Sequence, residues 1–308
     1  METIFDVIFS ADFVNSLLRV TTPLLFATMA VLVSNKAGVL NIGVEGMMLT
    51  AALVGVAGSA VTGSAWIGLL LAIASGMALS WLFSIFVLKL KTDVVLAGIA
   101  INLLASGLTI FILYLMTGDK GVSTSLPSKV MPNVVIPGLE SIPGFGQVIS
   151  GQNIMTWFAI LSVFVISVFL RRTKQGTYIR AVGQHPLAVE TAGINVYKIQ
   201  RNALLICGLL AAMGGAYMSM GYLSMFTKDM IAGRGFIAIA AEAMGMGIPL
   251  LSMAMAFLFG FADALSNNLQ MFNVPNEIVR MLPYVITIIA LAIYAANKMR
   301  KRKSMVSG

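Results

Sequence analysis

The 308-residue sequence predicts an all-α transmembrane fold of about nine spans, bounded at eight to ten. Three observations carry this. Apolar residues make up 58% of the chain and charged residues only 10%, against roughly 25% charged in an average soluble domain. The apolar residues fall in runs of about 17–25, long enough to cross a bilayer as helices. The basic residues gather in two places, Arg171, Arg172, Lys174, Arg180, Lys198 and Arg201 in one and Lys298, Arg300, Lys301, Arg302 and Lys303 in the other. Lipid, rather than water, is the solvent such a chain is built for, because hydrocarbon needs no polar coat.

The runs lie near residues 12–34, 46–62, 65–88, 94–116, 153–170, 200–222, 231–246, 249–268 and 280–297. The stretch 231–246 is the weakest, being short, glycine-bearing and interrupted by Arg234 and Glu242. It reads either as a full span or as a broken, re-entrant helix. Basic loops stay on the cytoplasmic side, which predicts a cytoplasmic C-terminus, a cytoplasmic 171–200 loop and an N-terminus outside. An even number of crossings must then separate those two basic clusters, which favours nine spans over eight. No basic flank precedes the first span, so that span is expected to direct insertion and to remain. The outer segment 117–152 carries Pro127, Pro132, Pro137 and Pro143 and is expected to be non-helical, an ordered cap or else a plain mobile connection.

The whole chain, 1–308, reads as one membrane domain. Its first half covers 12–170, a cytoplasmic loop 171–199, and its second half 200–297. Asn15-Ser-Leu-Leu opens the first span and Asn202-Ala-Leu-Leu the sixth. On this topology the two run in opposite directions, the arrangement of an inverted repeat with a solute path between its halves.

One cysteine, Cys207, excludes an internal disulfide, and one histidine, His185, excludes a histidine metal cluster. No phosphate loop of the Gly-x-x-x-x-Gly-Lys-Ser/Thr type occurs. The chain is therefore expected to be no enzyme, to hold no cofactor and to bind no nucleic acid, its net charge of +8 being explained by membrane anchoring. The 21 methionines are expected to serve packing.

Two segments carry candidate chemistry. In the loop, Pro186 can open a short helix and Gly193 can close it. The result is a helix of about two turns between polar loops, with Ala188, Glu190 and Ala192 on it. Such a helix reads equally as a docking element for another protein and as an ordinary connection. The second segment is Gly38-Val-Leu-Asn-Ile-Gly-Val-Glu-Gly46, which sets Asn41 and Glu45 among three glycines beside a span. It reads as a broken approach to the second helix that lines a cavity, or as an ordinary interfacial position of Glu45. Asn102 and Glu242 join Asn41 and Glu45 as candidate path residues, since polar groups at depth need partners or water. Asp93, Asp263, Asn267 and Asn268 are further polar groups that read as caps, packing groups or lining.

The loop pattern Arg180-Ala-Val-Gly183, Pro186-x-Ala188 and Ala192-Gly-Ile-Asn195 resembles the coupling loop of ATP-binding-cassette importer permeases, in the superfamily that serves branched-chain amino acids, ribose and nucleosides. Gln184-His185 departs from the acidic-amide pair common at that place. Gly38–Gly46 and Val94–Leu104 resemble the nucleoside-type members, and Gly260–Ala264 matches the superfamily, whereas Gly245–Pro249 matches it loosely. The resemblance covers about Leu17 to Ala296 and is weakest in the outer loop. It implies a type II-like importer permease in the cell membrane that works with a second, different permease subunit, a cytoplasmic ATPase and an extracellular substrate-binding lipoprotein. It further implies that Arg180, Gly183, Pro186, Ala188, Glu190 and Gly193 meet the ATPase. The same machine carrying ribose, another simple sugar or a branched-chain amino acid is the first alternative. An ion-coupled secondary transporter is the second.

Overall fold

A computed structural model of the chain describes residues 11–135 and 150–269, together with 285, 288 and 292. Within them the fold is helical. In chain order the helices are α1 (Ala11–Lys36), α2 (Val44–Thr62), α3 (Ala65–Ser84), α4 (Val94–Thr117), α5 (Ile154–Arg172), α6 (Lys174–Gln184), α7 (Pro186–Thr191), α8 (Val196–Tyr217), α9 (Arg234–Met244) and α10 (Pro249–Leu269). Single π-helical turns, Ile85–Lys89 and Met218–Tyr222, extend α3 and α8. The two-residue strands β1 (Asn133–Val134) and β2 (Gln152–Asn153) pair antiparallel.

Seven of these helices are long and apolar enough to cross a bilayer: α1, α2, α3, α4, α5, α8 and α10. They coincide closely with seven of the nine expected spans. The stretch 231–246, read as a full span or as a broken, re-entrant helix, holds the eleven-residue α9. At 1.5 Å per residue α9 is about 16 Å long, roughly half of a hydrocarbon core. The span expected at 280–297, and the basic cluster 298–303, lie outside the described residues.

Burial sorts the spans into two sets. Most of the apolar stretch of α1, α2 and α8 is buried, whereas most of that of α3 and α4 is not. Phe26, Met29, Leu32, Met47, Met48 and Tyr217 fill the centre, fully enclosed. Leu70, Trp81, Leu96, Leu103, Leu115 and Phe164 face outward from α3, α4 and α5. In water such a surface would be prohibitive; in a bilayer it is the natural boundary. Where α8 crosses its neighbours, small residues let backbones approach: a Cβ at Gly76 would sit 2.9 Å from the Gly208 carbonyl oxygen.

Helix ends follow from local chemistry. Asp93 caps α4, its Oδ1 accepting from Val95 N (2.9 Å) and Leu96 N (3.0 Å). Of the roles open to it, end-capping is the one observed. Asp93→Ala should lower stability by about 1 kcal/mol, read as a lower thermal midpoint of detergent-purified protein; an unchanged midpoint would deny the cap its weight. Asn153 caps α5 through Met155 N at 3.0 Å, and Asn195 caps α8 through Lys198 N at 2.9 Å.

The segment expected to face outward is ordered where it is described. Ser123 N donates to Phe226 O at 3.0 Å, Lys228 N to Gly121 O at 2.8 Å, and Lys129 N to the Ser59 hydroxyl at 3.1 Å. These bonds tie 118–135 to the far end of α2 and to the connection after α8.

Candidate functional site

The segment 37–43 is an irregular elbow between α1 and α2. Asn41 is fully buried and shapes it. Its Oδ1 accepts from Gly43 N (3.0 Å), and its Nδ2 points at the sulfurs of Cys207 (3.3 Å) and Met47 (3.5 Å). Asn102, from α4, accepts from Gly46 N at 2.8 Å and donates to Ile42 O at 3.1 Å. Gly46 is thus capped from another helix, since α2 has no side-chain cap of its own. A Cβ at Gly46 would lie 2.9 Å from Asn102 Oδ1 and from the Ile101 carbonyl oxygen, so only glycine admits this contact.

Glu45 performs the same service for α9. Its two carboxylate oxygens accept from Gly233 N and Gly235 N, each at 2.7 Å. Gly233 is the N-cap of α9 with φ +81°, and no side chain of its own neighbourhood caps the helix. The first N–H groups of a helix lack internal partners and carry partial positive charge. A carboxylate held there by two charge-assisted bonds is a strong clasp. At the other end of α9, Glu242 (2% exposed) accepts from Asn35 Nδ2 at 2.8 Å. Arg234 donates to Asp263 of α10 at 3.0 Å and to Ile231 O at 3.1 Å. So α9 is bonded at its two ends to residues on either side of the elbow, Glu45 of α2 and Asn35 of α1, and to α10 at its first residue. The connection leading into α9 is itself unusual: Ser224, Asp229 and Ala232 all have positive φ, at 60°, 54° and 51°. Non-glycine residues hold such angles only where their surroundings impose them.

The four candidate path residues are therefore brought around one structure. Asn41, Glu45 and Asn102 brace the elbow, and Glu242 bonds its α1 end. Arg234 and Glu242, the two charged residues of 231–246, have different partners, Asp263 and Asn35.

The expected short helix on the loop is present as α7, with Pro186 at its first turn and Gly193 just beyond it at φ +78°. The polar loop expected before it is corrected to a helix, α6. Thr173 caps α6, its hydroxyl accepting from Gly176 N at 3.0 Å, and Gly176, Ile179 and Val182 form its narrow buried face. Arg180, Pro186, Ala188, Glu190 and Gly193 are exposed. Gly183 has a second relation that the loop pattern did not show. A Cβ there would overlap the Lys36 carbonyl oxygen and lie 3.1 Å from Gly38 N, so α6 rests backbone to backbone on the elbow. Gln200 adds a bond from its side-chain amide to Ala37 O at 3.1 Å.

Comparison with known proteins gives this arrangement a context. No solved structure matches the chain. A guanosine ABC transporter permease protein of Bacillus subtilis is 35% identical over 87% of each chain. A putative glucose ABC transporter permease protein of Haloferax volcanii is 36% identical over 87% of this chain and 82% of its own. A nucleoside ABC transporter permease protein of Lactococcus lactis is 29% identical over 91% of both. The same Bacillus and Lactococcus strains each hold a second permease of the same kind that is 28% identical to this chain, over 92% and 43% of its length. The family described as the branched-chain amino acid transport system permease component matches residues 13–291. With an apolar multi-span body and relatives of this likeness along its length, the chain belongs to that family of permease components and is a multi-pass membrane protein.

Proposed function

We propose that this permease carries nucleosides into the cell as one of two different membrane subunits of an ATP-driven importer. The observation that carries this reading is the 35% identity to a guanosine permease along nearly the whole chain, joined by the likeness to a nucleoside permease. The two-permease organisation is supported by the pairs of relatives in single strains. A cytoplasmic ATPase docks on the α6–α7 hairpin, an extracellular binding lipoprotein delivers the solute, the C-terminus lies inside and the N-terminus outside.

Nine crossings in two inverted half-repeats suit the geometry. Each half has a long helix (α1, α8), an irregular stretch (37–43, 223–233) and a helix opening at a glycine (Gly43, Gly233). The openings of α2 and α9 meet at Glu45, and the helices diverge from there, α2 toward Lys129 and α9 toward Asn35. In this reading Asn41, Glu45, Asn102 and Glu242 hold the hinge of the path.

The test is uptake of labelled guanosine by cells carrying the complete transporter, competed with unlabelled inosine, glucose, ribose and leucine. Nucleosides should compete and the others should not. Competition by glucose alone would favour the sugar reading, which rests on the 36% identity to the glucose permease. Uptake that needs an ion gradient and no ATPase would favour secondary transport.

Docking has its own test. Leu187 at the tip of α7 is 77% exposed, an apolar knob of the size that fills a partner's pocket. Burying one leucine contributes about 1.5–3 kcal/mol. Leu187→Glu should therefore weaken co-purification of the ATPase by about tenfold or more, with membrane insertion retained. Undiminished co-purification would remove α7 from the interface.

A further inference from the structure

A polar space lies at the opposite end of α1 from the elbow. One cavity of about 280 Å³ is lined by Asn15, Arg19, Asn133, Gln152 and Tyr217 among others. An adjoining one of about 560 Å³ is lined by Asp12, Asn15, Ser16, Arg19, Tyr222 and Leu223. The larger lies within the usual range of small-molecule sites, roughly 300–1,000 Å³. Asn15 and Arg19, one helical turn apart, border both.

The lining is organised. Gln152 Nε2 donates to Asn15 Oδ1 at 2.7 Å, and Gln152 is 5% exposed. The Arg19 guanidinium lies 5.5 Å from the centroid of the Tyr222 ring and donates to Tyr222 O at 3.5 Å. Among the described residues Arg19 forms no ion pair. Arg19 sits 17 residues before Lys36 on α1, about 25 Å along the helix, still near the edge of a ~30 Å slab. A guanidinium at that depth is costly without water, so the space opens to solvent. Pro23 adds a further polar group, because it cannot donate the helical bond that the Arg19 carbonyl would otherwise accept.

We propose that this space is an entrance subsite for a nucleoside, with the Asn15–Gln152 amides on the hydrogen-bonding edge of the base and the Arg19–Tyr222 pair as its stacking surface. The inference rests on the nucleoside reading above and gives it a place. Amide side chains both donate and accept, as the mixed edge of a base requires. A planar guanidinium and an aromatic ring suit a π-face. Asp12 and Arg19 bring one charge of each sign to the lining of the larger space, which suits a neutral heterocycle better than an anion.

The test uses the chain's one cysteine, Cys207, which is buried. Ser16→Cys, in cells carrying the complete transporter, should react with a membrane-impermeant thiol reagent. Saturating guanosine should slow that reaction several-fold and ribose should not. In parallel, Gln152→Leu should raise the KM for guanosine about tenfold while changing the maximal rate less than twofold. Labelling indifferent to guanosine, no labelling from outside, or a change in maximal rate alone would overturn the subsite while guanosine uptake by the unmodified transporter continues. Absence of that uptake would overturn the nucleoside reading and this inference with it.

Discussion

Glu45→Ala should reduce solute uptake at least tenfold at unchanged expression, and should leave α9 loosely attached. The variant removes both acceptors from the start of α9, where Gly233 N and Gly235 N each lie 2.7 Å from a carboxylate oxygen. A hydrogen bond to a charged group contributes about 1.5–3 kcal/mol, and a buried donor left unpaired costs a similar amount. The two losses together weigh about 3 kcal/mol or more against the native position of α9. Glu45→Gln keeps one acceptor and should fall between. The checks are transport in proteoliposomes and hydrogen exchange of 233–237, which should quicken in the order native, Gln, Ala. Exchange that is unaltered in the alanine variant would show that α9 is held by Asp263 and Asn35 without help from Glu45.

Gly183→Val should abolish transport. Its Cβ would overlap the Lys36 carbonyl oxygen, and the atom it meets is backbone, which cannot swing aside as a side chain end would. Overpacking of this kind costs about 1–3 kcal/mol and is relieved by moving the smaller element, here the α6–α7 hairpin. Membrane insertion and the seven long helices should survive, because the contact lies outside their packed centre. Normal transport by the valine variant would mean that the hairpin can lift from the elbow without consequence. That result would separate α6 from any role in linking the ATPase to the path.

The spans were legible because one cause makes them: lipid demands long apolar helices, and runs such as 94–116 announce them within a residue or two of α4. The trans-capping by Glu45 was not legible. Its partners are backbone N–H groups at positions 233 and 235, and peptide groups leave no trace in a pattern of side chains. A hint existed in Gly233-Arg-Gly235, a helix opening with no serine, threonine, aspartate or asparagine at its N-cap position. The helix α6 was missed because the segment before Pro186 reads as a polar loop; its Gly176 and Gly183 each let another backbone approach. Arg234 and Glu242 lie on one short helix, but their partners come from α10 and α1. Polar residues in the spans announced that partners must exist without saying which.

The bare contact of Gly183 with Lys36 and Gly38 has a mechanical consequence. Side chains between two moving parts act as springs, since rotamers can turn and absorb a displacement. Peptide planes in direct touch have no such play. A push on α6 should therefore reach the elbow with little backlash, and a stroke of an ångström at one should be about an ångström at the other.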